Sequence, residues 1–238
     1  MTTRTSPICA FVHVPKTAGS TINDYLQRSE RKGESHIEAW ANQPETARDK
    51  LAKLEWVSGH VPFRRMRALI CNNTFRHVEF FTLLRDPLKQ LMSHYNWLIE
   101  IHHRGGDFYK SHPPRIKEIS KSIRNADNSN PTEVAQQLSR FPGLFLNQQA
   151  RLVFGALPTT TEPEDFRNRL AAYRQVATEE TLPDFVKAIS GLTYEPHSRK
   201  NVSGYHFDKE VFQAPELKAF ISKHHAIDLA LYRHLLDK

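Results

Sequence analysis

The stretch FVHVPKTAGSTINDYL, residues 11–26, decides the reading of this chain. The apolar run over residues 8–14 has the length and the branched and aromatic content of a buried strand. It breaks at Pro15, passes through Lys16, Thr17, Ala18, Gly19, Ser20 and Thr21, and resumes with helical spacing at Ile22, Tyr25 and Leu26. A strand, a tight loop and a helix N-terminus in that order aim backbone N–H groups and the positive end of the helix dipole at one spot, around which the loop sets a lysine and three hydroxyls. The expected ligand is an anion, most simply a phosphate. The loop lacks the Gly-Lys-Ser/Thr order of nucleoside triphosphate loops, since here the lysine comes first and one glycine follows. In this order Lys16 reaches forward over the bound group, and Gly19 lets backbone approach the anion with no Cβ between them. A plain strand-to-helix turn with a solvated lysine is the alternative for the loop taken alone.

A second stretch, FFTLLRDPLKQLMSHYNWL over residues 80–98, repeats the pattern. Its apolar run ends at Arg85-Asp86-Pro87, after which Leu88, Leu91, Tyr95 and Leu98 recur with helical period. Asp86 suits an N-cap and Pro87 the first turn. Arg85 then lies at the C-terminal edge of a strand, where ligands gather in open α/β sheets. Lys89 and Ser93, one turn apart, share a helix face other than the leucine face. The alternative is a capped helix with a surface arginine paired to Asp86.

Together the two stretches resemble a known family. HVPKTAGST, residues 13–21, is similar to the 5′-phosphosulfate loop, and RDPLKQLMSHY, residues 85–95, to the 3′-phosphate motif, of sulfotransferases that use 3′-phosphoadenosine 5′-phosphosulfate (PAPS). Within that family the chain resembles the carbohydrate sulfotransferases related to heparan sulfate 2-O-sulfotransferase. Ser58-Gly59-His60-Val61 resembles the segment that carries the catalytic base of that group. Asn147, Gln149, Arg151, Leu152 and Gly155 are similar to a recurrent Asn-Gln-x-Arg-x-Leu-x-Gly pattern, Asn201-Val202-Ser203 to a late nucleotide-contacting loop, and residues 227–232 to the last helix.

The resemblance implies a single-domain, three-layer, P-loop-like α/β fold over residues 1–238, with a central parallel sheet flanked by helices. It also implies in-line sulfuryl transfer from PAPS to a hydroxyl. Lys16 and the N–H groups of Thr17, Ala18, Gly19, Ser20 and Thr21 would hold the 5′-phosphosulfate and stabilise the charge building on the bridging oxygen. Arg85 and Ser93 would grip the 3′-phosphate, Asn201 and Ser203 would contact the nucleotide, and His60 would deprotonate the acceptor, an effect worth about 10²–10⁴ in rate. No metal is called for, because a sulfuryl group carries less charge than a phosphoryl group. Two positions depart from the pattern. Gln90 stands where the family often has a further arginine, with Lys89 beside it as a point charge lacking arginine's fork, and Ser58 stands where some members have another histidine.

Composition fits an enzyme of this kind. The 238 residues suffice for one sizeable core, and 39% hydrophobic with 25% charged residues is ordinary for a globular chain. A net charge of +7 points to anionic partners, and the clusters Arg64, Arg65 and Arg67, Arg28, Arg31 and Lys32, and Arg199-Lys200 leave charge over for an acidic acceptor. The expected acceptor is a glycan, acidic or already sulfated, with a small alcohol or phenol as the alternative. Nucleic acid is not expected, since finger spacing, RNP-type aromatic strings and homeodomain-like helices are missing from the sequence. Cys9 and Cys71 stand apart, so neither a disulfide framework nor a zinc pair is expected, and Cys9 reads as a small core residue. No run of about eighteen apolar residues spans a membrane. The N-terminus carries no signal-peptide pattern and leads almost directly into the first strand, which is similar to soluble bacterial members and reads as cytoplasmic.

Along the chain, residues 36–53 read as a polar helix, Trp56-Val57 leads into His60, and residues 173–177 read as a strand. Residues 101–130 turn polar and basic, with Gly105-Gly106 and Pro113-Pro114, and read as a mobile insertion over the active site. Asn130-Pro131-Thr132-Glu133 and Thr181-Leu182-Pro183-Asp184 read as helix starts, the second helix stopping at Gly191. His13 reads as a satisfied core histidine, and the spacing of His94, His102, His103 and His112 matches no metal-ligand pattern. Two other classes remain open at this point: a P-loop kinase or nucleoside triphosphatase, which needs Mg²⁺ and ATP, and a non-catalytic binder of polyanions, which does not need His60.

Overall fold

The computed structural model describes residues 6–196 and 204–237. The chain runs through β1 (Ile8–Val12), α1 (Gly19–Arg28), β2 (Gly33–Glu34), α2 (Pro44–Leu51), β3 (Trp56–Gly59), α3 (Phe63–Asn73) and β4 (Val78–Leu84). It continues through α4 (Pro87–Arg104), α5 (Gly106–Lys110), α6 (Pro114–Asn125), α7 (Pro131–Arg140), α8 (Pro142–Phe145), α9 (Gln148–Phe154) and α10 (Pro163–Leu170). The last elements are β5 (Gln175–Thr178), α11 (Leu182–Ser190), α12 (Pro215–His224) and α13 (Ala226–Leu236).

The five strands form one all-parallel sheet in the order β2-β3-β1-β4-β5, flanked by helices, as expected for an α/β chain. β1 is central, so all five of its residues are buried, which is why it reads as an unbroken apolar run rather than an alternating one. The register sets Val12 opposite both Gly59 and Thr82, and Leu84 opposite Thr178. The C-terminal ends of β1, β3, β4 and β5 therefore share one edge. The chain leaves β1 toward the β2 side of the sheet, whereas β4 leads to β5 on the other side. The C-terminal ends of β1 and β4 are thus the topological switch point, the usual ligand position in such sheets.

Within the span read as one domain, the described residues form two compact units. The first, residues 6–85, 149–196 and 230–237, contains the sheet. Its core joins Phe11, Trp56, Phe81 and Leu83 of the strands to Ile22, Tyr25 and Leu26 of α1 and Phe185, Val186 and Ile189 of α11. Each such fully buried side chain contributes about 1.5–3 kcal/mol. Cys9 sits in this core as a free thiol, pushed up to about 12 by burial.

The second unit, residues 86–148 and 204–229, is helical. Leu91, Tyr95 and Leu98 of α4, spaced three and four apart, pack with Ile119 and Ile123 of α6, Val134 and Leu138 of α7, and Leu217 and Ile221 of α12. Asn147, at φ +52°, organises its C-terminal part. The Asn147 Oδ1 accepts from the N–H groups of Ile227 (3.0 Å) and Asp228 (3.1 Å), capping α13, while Nδ2 donates to the His224 carbonyl at 3.0 Å. Its backbone N–H donates to Nδ1 of the fully buried His225 at 2.9 Å.

Several boundaries differ from the sequence reading. β1 ends at Val12 rather than Val14. The polar stretch 36–53 is a 3-10 turn, Ile37–Ala39, followed by α2, which starts at Pro44. Residues 101–130 hold the end of α4 and the whole of α5 and α6, and α3, which carries Arg64, Arg65 and Arg67 on its exposed side, has no counterpart in the sequence reading. The expected caps are present in part. Asn130 Oδ1 accepts from Thr132 N–H at 3.0 Å, and Asp86 accepts from Lys89 N–H at 2.8 Å, but Glu133 accepts from Asp127 N–H instead of closing a capping box. Gly191, at φ +77°, ends α11.

Candidate anion site and its histidines

The loop after β1 is wound unusually. Lys16 (φ +66°) and Ala18 (φ +61°) are both left-handed, with Thr17 between them on the ordinary side. Non-glycine residues pay about 1–2 kcal/mol each for that conformation. Alternating signs of φ are the winding of anion-binding nests, in which successive N–H groups face one side, and α1 begins at once beyond it. The winding is held by the buried Thr17 hydroxyl, which donates to the Val14 carbonyl at 2.9 Å, and by Arg85 Nη1, which donates to the Lys16 carbonyl at 3.2 Å. Thr21 N–H is bonded to the Ala18 carbonyl at 2.9 Å as the first turn of α1 closes. Thr17 therefore spends its hydroxyl on the loop itself.

Gly19 has a different role from the expected one. A Cβ there would lie 1.9 Å from His13 Nε2, so the residue is glycine to admit a neighbouring ring. His13, 5% exposed, stacks on Phe11 with centroids 5.6 Å apart and lies 4.2 Å from the His60 ring. Its Nδ1 is buried with no hydrogen-bond partner among the described residues, so His13 is not the satisfied core histidine of the sequence reading. Burial first, and then the His60 and His36 rings, hold its pKa well below the usual histidine value.

His60 follows β3, and its Nδ1 lies 2.8 Å from the His13 carbonyl oxygen. A carbonyl only accepts, so Nδ1 carries the hydrogen and Nε2 keeps its lone pair. The His60 backbone N–H donates to Glu38 Oε2 at 3.2 Å. Gly59 permits this approach, since a Cβ there would sit 2.4 Å from the same oxygen. His60 keeps a solvent-exposed edge while the rest of the ring is packed, and that desolvation lowers its pKa against the opposing pull of the His13 carbonyl and Glu38. Glu38 lies in the turn that begins after His36 (φ +59°), whose Nδ1 is 3.2 Å from Glu38 Oε1.

Arg85, directly after β4, is fixed at both ends. Gln149 clamps its backbone as a strand neighbour would, accepting from Arg85 N–H at 3.0 Å and donating to its carbonyl at 2.9 Å. Arg85 Nε pairs with Glu179 Oε1 at 3.1 Å, an ion pair rather than an aligned hydrogen bond, and not with Asp86. Glu179 opens the turn after β5. One guanidinium thus ties the loops that follow β1, β4 and β5.

Lys16, Thr17, Ala18, Gly19, Ser20, Thr21, His60 and Arg85 all belong to the first unit. Ser93 and Lys89 lie on α4 in the second, where the buried Gln90 donates to Gln148 Oε1 at 2.8 Å. Gln90 is thus a buried, hydrogen-bonded packing residue. Asn201 and Ser203 lie outside the described residues. Glu38, His36 and Glu179 went unread in the sequence. Glu179 carried a faint signal as an acid directly after a strand, whereas Glu38 sits in a polar stretch with none.

No protein-family model and no curated protein matches the chain. The site itself offers a left-handed loop bearing a lysine, a guanidinium one loop away, and, directly after the strand on the other side, an imidazole whose Nε2 keeps its lone pair.

Proposed function

We propose that the chain is a PAPS-dependent sulfotransferase of P-loop-like fold, acting on a hydroxyl of a carbohydrate. One observation carries this reading. The Lys16 nest, Arg85 and His60 follow the adjacent strands β1, β4 and β3 at one edge of the sheet, and His60 has its hydrogen on Nδ1.

The nest and Lys16 hold the 5′-phosphosulfate, whose bridging oxygen gains negative charge as its bond to sulfur breaks. The winding of residues 16–18 presets these donors, so little reorganisation accompanies the charge. Nε2 of His60 takes the proton of the acceptor hydroxyl as its oxygen attacks sulfur, and the Nδ1–H bond to the His13 carbonyl keeps the ring in the required tautomer and orientation. Arg85 serves the 3′-phosphate. In the structure described here it is paired with Glu179, so a phosphate competes with that carboxylate for one face of the guanidinium. Ser93 has its part in that grip from the resemblance alone, and the glycan acceptor rests on the resemblance together with the surplus of basic charge. No helix of the described residues is long and apolar enough to cross a membrane.

Substitution separates binding from chemistry. His60→Ala is expected to leave affinity for 3′-phosphoadenosine 5′-phosphate (PAP) nearly unchanged while lowering turnover about 10²–10⁴-fold, and Lys16→Ala to damage both. Wild-type turnover in His60→Ala would remove His60 as the base.

A further inference from the structure

His36, Glu38 and His60 come from two segments, the turn after β2 and the end of β3, yet each places a ligating atom within 4.8 Å of the other two. All three are solvent-exposed. Their donor set, two imidazole nitrogens and a carboxylate oxygen, is that of open metal sites in which water completes the coordination. The surroundings also fit. Nδ1 of His60 donates to a backbone carbonyl, the outer contact that fixes a metal-ligating histidine with Nε2 outward. Glu38 is drawn in by the His60 N–H and by the space that Gly59 leaves. His36 is held in the left-handed region, with Nδ1 sharing a hydrogen with Glu38 Oε1 at 3.2 Å, a hydrogen that a cation replaces. Behind His60 lies the His13 ring, with its buried, unpartnered Nδ1. Zinc ligands at about 2.1 Å from a tetrahedral ion stand about 3.4 Å apart, so closure from 4.8 Å takes only small rotations of exposed side chains.

We infer that His36, Glu38 and His60 bind one divalent transition-metal ion of the zinc class. Resting on the transferase reading, a second consequence follows: the ion takes the lone pair of His60 Nε2 and so withdraws the base, making zinc an inhibitor of the transferase.

The test is calorimetric titration of the whole protein with Zn²⁺, and with Co²⁺ followed by its visible ligand-field bands, in the absence of nucleotide. One equivalent is expected to bind, with imidazole-type bands, and His36→Ala and Glu38→Gln are each expected to weaken it at least about tenfold. Circular dichroism and melting temperature check that both variants fold. Absence of saturable one-to-one binding would overturn the inference. So would binding undiminished in both variants, which would place the ion elsewhere among the thirteen histidines. Half-inhibition of turnover by Zn²⁺ is expected to shift in His36→Ala by the same factor as the binding constant, and a zinc-insensitive turnover with the site filled would remove the inhibitory role. The titration uses no PAPS, so a chain that binds Zn²⁺ one-to-one but not PAP would overturn the transferase reading while leaving the metal site in place.

Discussion

Gly19→Ala is the most informative single perturbation of the loop. The added Cβ would stand 1.9 Å from Nε2 and 2.0 Å from Cδ2 of His13, far inside van der Waals contact, and His13 is confined by Phe11 on one side and His60 on the other. Gly19 does not need the left-handed region, so backbone conformation gives no objection to alanine, and the whole penalty is steric. Overpacking at such a site costs about 1–3 kcal/mol, and 2 kcal/mol raises the unfolded fraction roughly thirtyfold. His13→Ala removes the obstructing ring and costs stability of its own by leaving a cavity. In the double variant the clash is gone. It is therefore expected to be less destabilised than the sum of the single variants by about 1–3 kcal/mol, a coupling well beyond the usual error of additivity. Urea unfolding of the four proteins, read by tryptophan fluorescence, gives the cycle. Strict additivity would refute the assignment of Gly19 to the His13 ring and return it to the role of admitting the anion.

His225 supplies a pH dependence. Burial, opposed by the neighbouring Pro87 carbonyl, pulls its pKa from 6.5 to about 4, with the buried Asp228 carboxylate 3.5 Å from Nε2. The unfolded chain then takes up the proton first, so this contribution is complete above pH 6.5 and is lost as pH falls toward 4, at up to about 1.4 kcal/mol per pH unit and about 3 kcal/mol in all. His225→Asn, which keeps an acceptor for the Asn147 N–H, is expected to flatten unfolding free energy against pH over that window, and parallel curves for variant and wild type would refute the assignment. Gln149→Ala strips both the Arg85 N–H and carbonyl of their partner, an expected loss of about 1–3 kcal/mol together with weakened PAP binding. A change under about 0.5 kcal/mol with PAP affinity intact would show that the clamp is idle.

The parts of the fold legible in the sequence are those whose signal is local. The β1 and β4 runs, the Asp86 and Asn130 caps and the Gly191 stop depend on side chains within a few residues of one another, and they were readable for that reason. β2, only two residues long, carried no periodic signal, and α3, although its buried Phe63, Met66 and Ile70 stand three and four apart, went unread because its arginines read only as a charge cluster. At the site, Lys16 and Arg85 were legible because loop position after a strand is itself a signal. What held them was not. The His13–Gly19 fit, the Glu38 contact to His60, and the Gln149 clamp on Arg85 join residues 6, 22 and 64 positions apart, and a single sequence has no local pattern for such pairs.

Calorimetric titration of the wild-type chain with PAP, AMP and ATP, each with and without Mg²⁺, tests the central claim most directly. PAP is expected to bind without metal and markedly more tightly than AMP or ATP, with Arg85→Ala erasing its advantage over AMP; in a thermal scan, a hundredfold excess over the dissociation constant corresponds to about 2.7 kcal/mol of stabilisation. Binding of ATP with Mg²⁺ as tight as or tighter than that of PAP, or no binding of PAP at all, would contradict the account.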